Sequence, residues 1–98
     1  MRSDERKDAT APEILALKAL AWLAGREDLL PVFLGSSGLA AADLRRRAGE
    51  PEILGAVLDF LLMDDDWIRA FCDDAGLGYH EPMRARAALP GGQQTHWT

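Results

Sequence analysis

Prolines and glycines divide this chain of 98 residues into short apolar runs, and that punctuation constrains its fold more than any other feature. Pro12, Pro51 and Pro82 each head a run rich in leucine or alanine, where the first turn of a helix has no use for the missing N–H. Pro31 falls near the start of another such run. Gly25, the stretch "GSSG" at 35–38, Gly76 and the glycine pair after Pro90 stand where the runs stop. No segment alternates with period two long enough to form a strand, and between the breakers propensity favours helix almost everywhere. The predicted fold class is therefore all-α: a compact, partly orthogonal bundle of five or six short helices.

The spacing predicts a first helix that opens at Pro12 and ends at Gly25, with Ile14, Leu17, Leu20, Ala21 and Ala24 on one broad face, Leu23 and Ala16 beside them and Trp22 on its flank. Asp28 is placed to cap a second helix through Leu34, which "GSSG" stops, with Val32, Phe33 and Leu34 as its apolar cluster. A third runs from Ala40 to Ala48 and buries Leu39 and Leu44. Pro51 opens the fourth, whose unbroken stripe of Ile53, Leu54, Val57, Leu58, Leu61 and Leu62 marks it as the central helix. Asp64 or Asp65 caps a fifth, with Trp67, Ile68, Phe71 and Cys72 inward and Gly76 and Leu77 closing it. A last helix spans Pro82 to about Leu89. The expected organisation is a flexible segment at 1–11, one helical domain at 12–90 and a flexible tail at 91–98 that carries Trp97.

Charge and cysteine content narrow the function classes. A net charge of -5 argues against non-specific nucleic-acid binding, which needs a cationic face. Cys72 is the single cysteine, so no internal bridge forms and a reducing, cytoplasmic setting is expected. The charged N-terminus lacks the apolar core of a signal peptide, and the first apolar stretch is short and holds Lys18. Neither export nor membrane attachment is expected.

The chemical candidates each have a structural reading that suffices. Asp64, Asp65 and Asp66 suit a helix cap and lack the spread ligands of a calcium loop. His80 and His96 have no companion set for zinc, and general acid–base work by His80 with Glu81 or Asp73 requires geometry. Cys72 reads as a small buried hydrophobe. "GSSG" lacks the lysine of a nucleotide loop. No catalytic, metal or cofactor site is expected, and the chain does not read as an enzyme.

Interaction candidates remain. Arg45, Arg46 and Arg47 fan over roughly 200° of helix, so they do not all face one ligand, and Asp43, Glu50 and Glu52 balance them. Trp22 and Phe60 are the aromatics most suited to an interface, Phe60 because it lies off the main stripe of its helix. Exposure of either would favour a homodimer.

The stretch "GLAAADLRRRAGEPEILGAVLDFLLMDDDWIRAFCDDAGL" and the later "EPMRARAALPGG" resemble a family of small alphaproteobacterial proteins catalogued as domain of unknown function 3572. The shared features are a Gly-Leu turn at Gly38 and Leu39, "DLR" at Asp43 to Arg45, a proline-led helix from Pro51 to Asp65, and "ALPG" at 88–91. The resemblance covers roughly residues 12 to 92. It departs at "AAAD", where the family often opens its helix with Asp-Pro. It implies a bacterial cytoplasmic protein, a helical fold, and Asp43 with Arg45 as a buried or helix-end pair; it implies no activity.

The leading functional expectation is a small, non-catalytic interaction or adaptor domain with an unidentified protein partner or a second copy of itself. A helical nucleic-acid regulator using Arg45 to Arg47 stands second, and an enzyme subunit third. An apolar groove between the second and fourth helices would favour a peptide or helix partner.

Overall fold

The computed structural model describes residues 11–90, and six helices account for most of them. They are α1 (Pro12–Ala24), α2 (Leu30–Ser37), α3 (Ala41–Arg46), α4 (Pro51–Leu61), α5 (Asp65–Ala75) and α6 (Glu81–Ala88). The fold is the all-α bundle that the punctuation predicts. The expected flexible ends, with Trp97 and His96, lie outside the described residues apart from Ala11.

The core is built around α4. Ile53, Leu54, Val57, Leu58, Phe60 and Leu61 are all buried, so this helix is covered on nearly every side, and α1 packs along it. α6 lies against both α1 and α4, and α2 and α5 also contact α4. Leu15, Ala16, Ala19, Leu20 and Leu23 of α1 enter the core together with Phe33 of α2 and Ile68, Phe71 and Cys72 of α5.

The helix ends follow local chemistry. The Asp64 side chain accepts from the Asp66 N–H at 2.8 Å and starts α5, with Asp65 and Asp66 in the first turn where carboxylates are favoured. Gly76 ends it at φ 73, and the Leu77 N–H reaches back to the Cys72 carbonyl at 2.9 Å. The acidic run is thus a cap, and Asp66 pairs with Arg69 at 3.0 Å.

Two helices, α2 and α3, differ in their boundaries from the sequence expectation. α2 does not stop at Gly35. It runs on through Ser36 and Ser37 to Gly38, which adopts φ 79 and so supplies the left-handed stop. The serine hydroxyls turn back onto the Phe33 and Leu34 carbonyls at 3.3 and 3.5 Å, a local bond that lets them sit within a helix. Asp28 does not cap α2, because the Arg26 guanidinium holds its carboxylate through two bonds at 3.0 and 2.9 Å. α3 is shorter than expected; Asp43 at its third position accepts the Ala40 N–H at 3.1 Å and replaces the missing Asp-Pro opening.

One long-range clamp fastens α6 to α4. Arg86 forks Asp59 through Nε at 2.7 Å and Nη2 at 3.1 Å, and its Nη1 donates to the Pro90 carbonyl at 3.3 Å. Gly55 makes room for it: a Cβ there would lie 3.0 Å from Nη1. The Arg86 side chain is only 15% exposed, while Asp59 is 58% exposed, so the two-pronged geometry rather than burial of both partners sets this pair apart from ordinary surface bridges. Arg86→Ala is expected to cost about 1–2 kcal/mol, read as a lower urea midpoint at unchanged slope.

Candidate functional site

The arginine cluster is largely spent within the chain. Arg46 pairs with Asp43 one turn back. Arg47 bonds Glu50 through Nε at 2.8 Å and Glu52 through Nη2 at 3.2 Å. The Ala40 N–H, and then Arg46, hold the Asp43 carboxyl below its ordinary range; the bond that Arg47 donates to Glu50 raises Arg47. The implied Asp43–Arg45 pair does not form: Asp43 takes Arg46, and Arg45 is exposed with no bonded partner among the described residues. Three arginines therefore present one uncommitted guanidinium rather than a basic face.

Phe60 also departs from its expected place. It is 3% exposed, meets Phe33 edge-on with centroids 5.3 Å apart, and stacks on Trp67 at 4.6 Å. Lying off the leucine stripe does not bring it to the surface, because α4 is surrounded. It is a core ring and is not available to a partner. The Phe33–Phe60 contact joins α2 to α4 at the place where a groove would have favoured a bound helix.

α1 supplies the surface instead. Its buried residues are Leu15, Ala16, Ala19, Leu20 and Leu23, whereas Ile14 is 49% and Leu17 40% exposed, and Ala21 and Ala24 also face solvent. Of the predicted face Leu20 is buried, as are Leu23 and Ala16 beside it, while Ile14, Leu17, Ala21 and Ala24 turn outward. Apolar residues occupy both faces of α1, so periodicity alone does not choose between them. Lys18 carries the local signal. It lies four residues after Ile14 and three before Ala21, and its ammonium draws that shared face toward water.

Trp22 is half-buried at the edge of this face. Its Nε1–H donates to Asp74 Oδ2 at 2.7 Å, its ring meets Phe71 edge-on at 5.7 Å, and the Arg26 guanidinium lies 4.8 Å from the ring centre. Beside it an open groove of about 350 Å³ runs between α1 and α5, lined by Lys18, Ala21, Trp22, Phe71, Asp74 and Ala75. This groove was not legible in the sequence, since Trp22 and Asp74 are 52 residues apart.

The polar candidates elsewhere are committed. Glu81 accepts the Gly78 N–H at 2.9 Å and Asp73 accepts the Tyr79 hydroxyl at 2.7 Å, and neither carboxylate is hydrogen-bonded to His80. Among the described residues, no group of three or more His, Cys, Asp or Glu side chains could hold a metal ion, and no helix is long and apolar enough to cross a membrane.

Fold and surface together define a small all-α bundle with an apolar outer helix face and a tryptophan-edged groove. The chain belongs to the family described as protein of unknown function, DUF3572, which matches it over residues 9–92. No curated protein and no solved structure matches it.

Proposed function

We propose that this protein is a non-catalytic interaction domain of the bacterial cytoplasm whose docking surface is the outer face of α1 with the groove beside Trp22. The observation that carries this reading is the orientation of α1, which leaves Ile14 and Leu17 exposed on the same side as Lys18. Large apolar side chains exposed together on one helix face mark a candidate protein contact. The polar groups at this groove suit orientation of a partner: Lys18 is uncommitted among the described residues, and Asp74 has one oxygen bonded to Trp22. The single buried thiol suits a reducing compartment.

The test is affinity capture from a nuclease-treated lysate with the wild type, Leu17→Glu, and the triple variant Arg45→Ala, Arg46→Ala and Arg47→Ala. A protein retained by the wild type and the triple variant but lost with Leu17→Glu is the expected result. Capture that ignores Leu17 and disappears with the arginines or with nuclease would transfer the function to α3 and a nucleic-acid partner.

A further inference from the structure

We infer that the occupant of the α1 face is a second copy of this chain, with the two α1 helices packed antiparallel across a twofold axis. The inference rests on the docking reading above and names its partner. Two independent features of the surface make it complementary to itself.

The first is shape. The exposed face of α1 is bulky in its N-terminal half, at Ile14 and Leu17, and shallow in its C-terminal half, at Ala21, Ala24 and Gly25. A twofold axis crossing the helix between Lys18 and Ala21 reverses one copy on the other. Ile14 then lies over the partner's Gly25, and Leu17 comes over the partner's shallow stretch from Ala21 to Ala24. Each bulky half fills the other copy's shallow half, as an isologous contact requires.

The second is charge. In an antiparallel pair related by a perpendicular twofold, like flank meets like flank. Lys18 and Trp22 lie on the flank of α1 that borders the groove, and Asp74 of α5 lines the same groove. Lys18 has no hydrogen-bond or ion-pair partner among the described residues. Asp74 receives Trp22 Nε1–H on Oδ2 and leaves Oδ1 open; Arg26 is close enough to feel Asp74 but gives its fork to Asp28. The twofold brings each Lys18 ammonium toward the partner's Asp74, making two symmetric ion pairs. The net charge of -5 does not oppose this, because α1 carries one acidic and one basic residue, Glu13 and Lys18.

A stable interface of standard size needs about 800 Å² from each partner, and one helix face with a groove falls at the low end.

Sedimentation velocity over a wide concentration range tests this with the wild type, Leu17→Glu, Lys18→Asp and Asp74→Lys. The wild type should move from 10.7 kDa toward twice that mass, and Leu17→Glu should remain at 10.7 kDa. Lys18→Asp and Asp74→Lys should each lose at least tenfold in self-affinity. Their equimolar mixture should regain it. In the mixed dimer the aspartate introduced in one variant faces the lysine introduced in the other, and the remaining native Lys18 faces the remaining native Asp74. That recovery distinguishes a lost ion pair from a misfolded variant. A wild type that stays monomeric, charge variants that associate unchanged, or a mixture that does not recover would each overturn the inference. If the wild type is monomeric while Leu17-dependent capture of another protein persists, this inference fails and the docking reading stands; loss of both removes both.

Discussion

Phe60→Ala is expected to remove about 3–5 kcal/mol of stability, enough to leave the folded state marginal in a domain whose total is of order 5–15 kcal/mol. The ring is buried at the junction of three helices: it meets Phe33 of α2 edge-on, stacks on Trp67 of α5, and belongs to α4, which holds the bundle together. Truncation removes the apolar area and both aromatic contacts, and it opens a cavity that helices fixed by Pro51 and the Asp64 cap cannot readily close. Ile14→Ala is the control when unfolding is followed at concentrations where the chain is monomeric, because Ile14 is 49% exposed there and its truncation should change stability by no more than about 0.5 kcal/mol. Urea unfolding of the two variants separates the readings. A loss below about 1 kcal/mol for Phe60→Ala would contradict its place in the core.

The contrast between Phe60 and Ile14 also shows where sequence reasoning reaches its limit. Element number and type were legible because Pro12, Pro51 and Pro82 open helices, Gly76 closes one, and the α4 stripe is long enough to fix both period and face. α1 is different. Its thirteen residues contain two charges, so the hydrophobic pattern is compatible with burial of either side, and the tertiary contacts with α4 and α6 decide. Lys18 was the one local clue to the outcome. In α2 the first glycine of "GSSG" has a helical backbone, and only Gly38 needs the left-handed region, a distinction set by the path of the chain beyond Ser37 rather than by composition.

The candidate site was legible only in part for a related reason. Trp22 was visible as an aromatic on a flank, but its setting depends on Asp74 and Phe71, brought from α5 by the fold. The Arg86–Asp59 clamp spans 27 residues and has no local signature. The arginines of α3 misdirect in the opposite sense: they are conspicuous as a run, yet their partners Asp43, Glu50 and Glu52 lie within a few residues and neutralise most of it. Nearby acidic residues could be read from the sequence as a balance, and the structure converts that balance into specific bonds. Distant partners cannot be read so, and the groove is made of them.

Cys72 is expected to resist alkylation in the native protein by about a hundredfold or more relative to an ordinary thiol at the same pH, and to react normally once the chain is unfolded. The side chain is fully buried on α5, and its S–H points to the Gly78 carbonyl at 3.5 Å. Burial first, then the nearby Glu81 and Asp73 carboxylates, pushes its pKa from 9.0 up to about 11. A rise of that size reduces the reactive thiolate about a hundredfold below pH 9, before any steric hindrance is counted. Because the fold favours the neutral thiol, the associated stabilisation is complete below about pH 9 and is lost as pH rises toward about 11. Iodoacetamide labelling followed by mass spectrometry, with and without denaturant, gives the rates, and native labelling at the free-thiol rate would refute the assignment. The same burial bears on how copies of the chain associate. A thiol enclosed beneath α5 cannot bridge two folded molecules, so a dimer through α1 must persist unchanged in reductant and dissociate when Leu17 becomes glutamate.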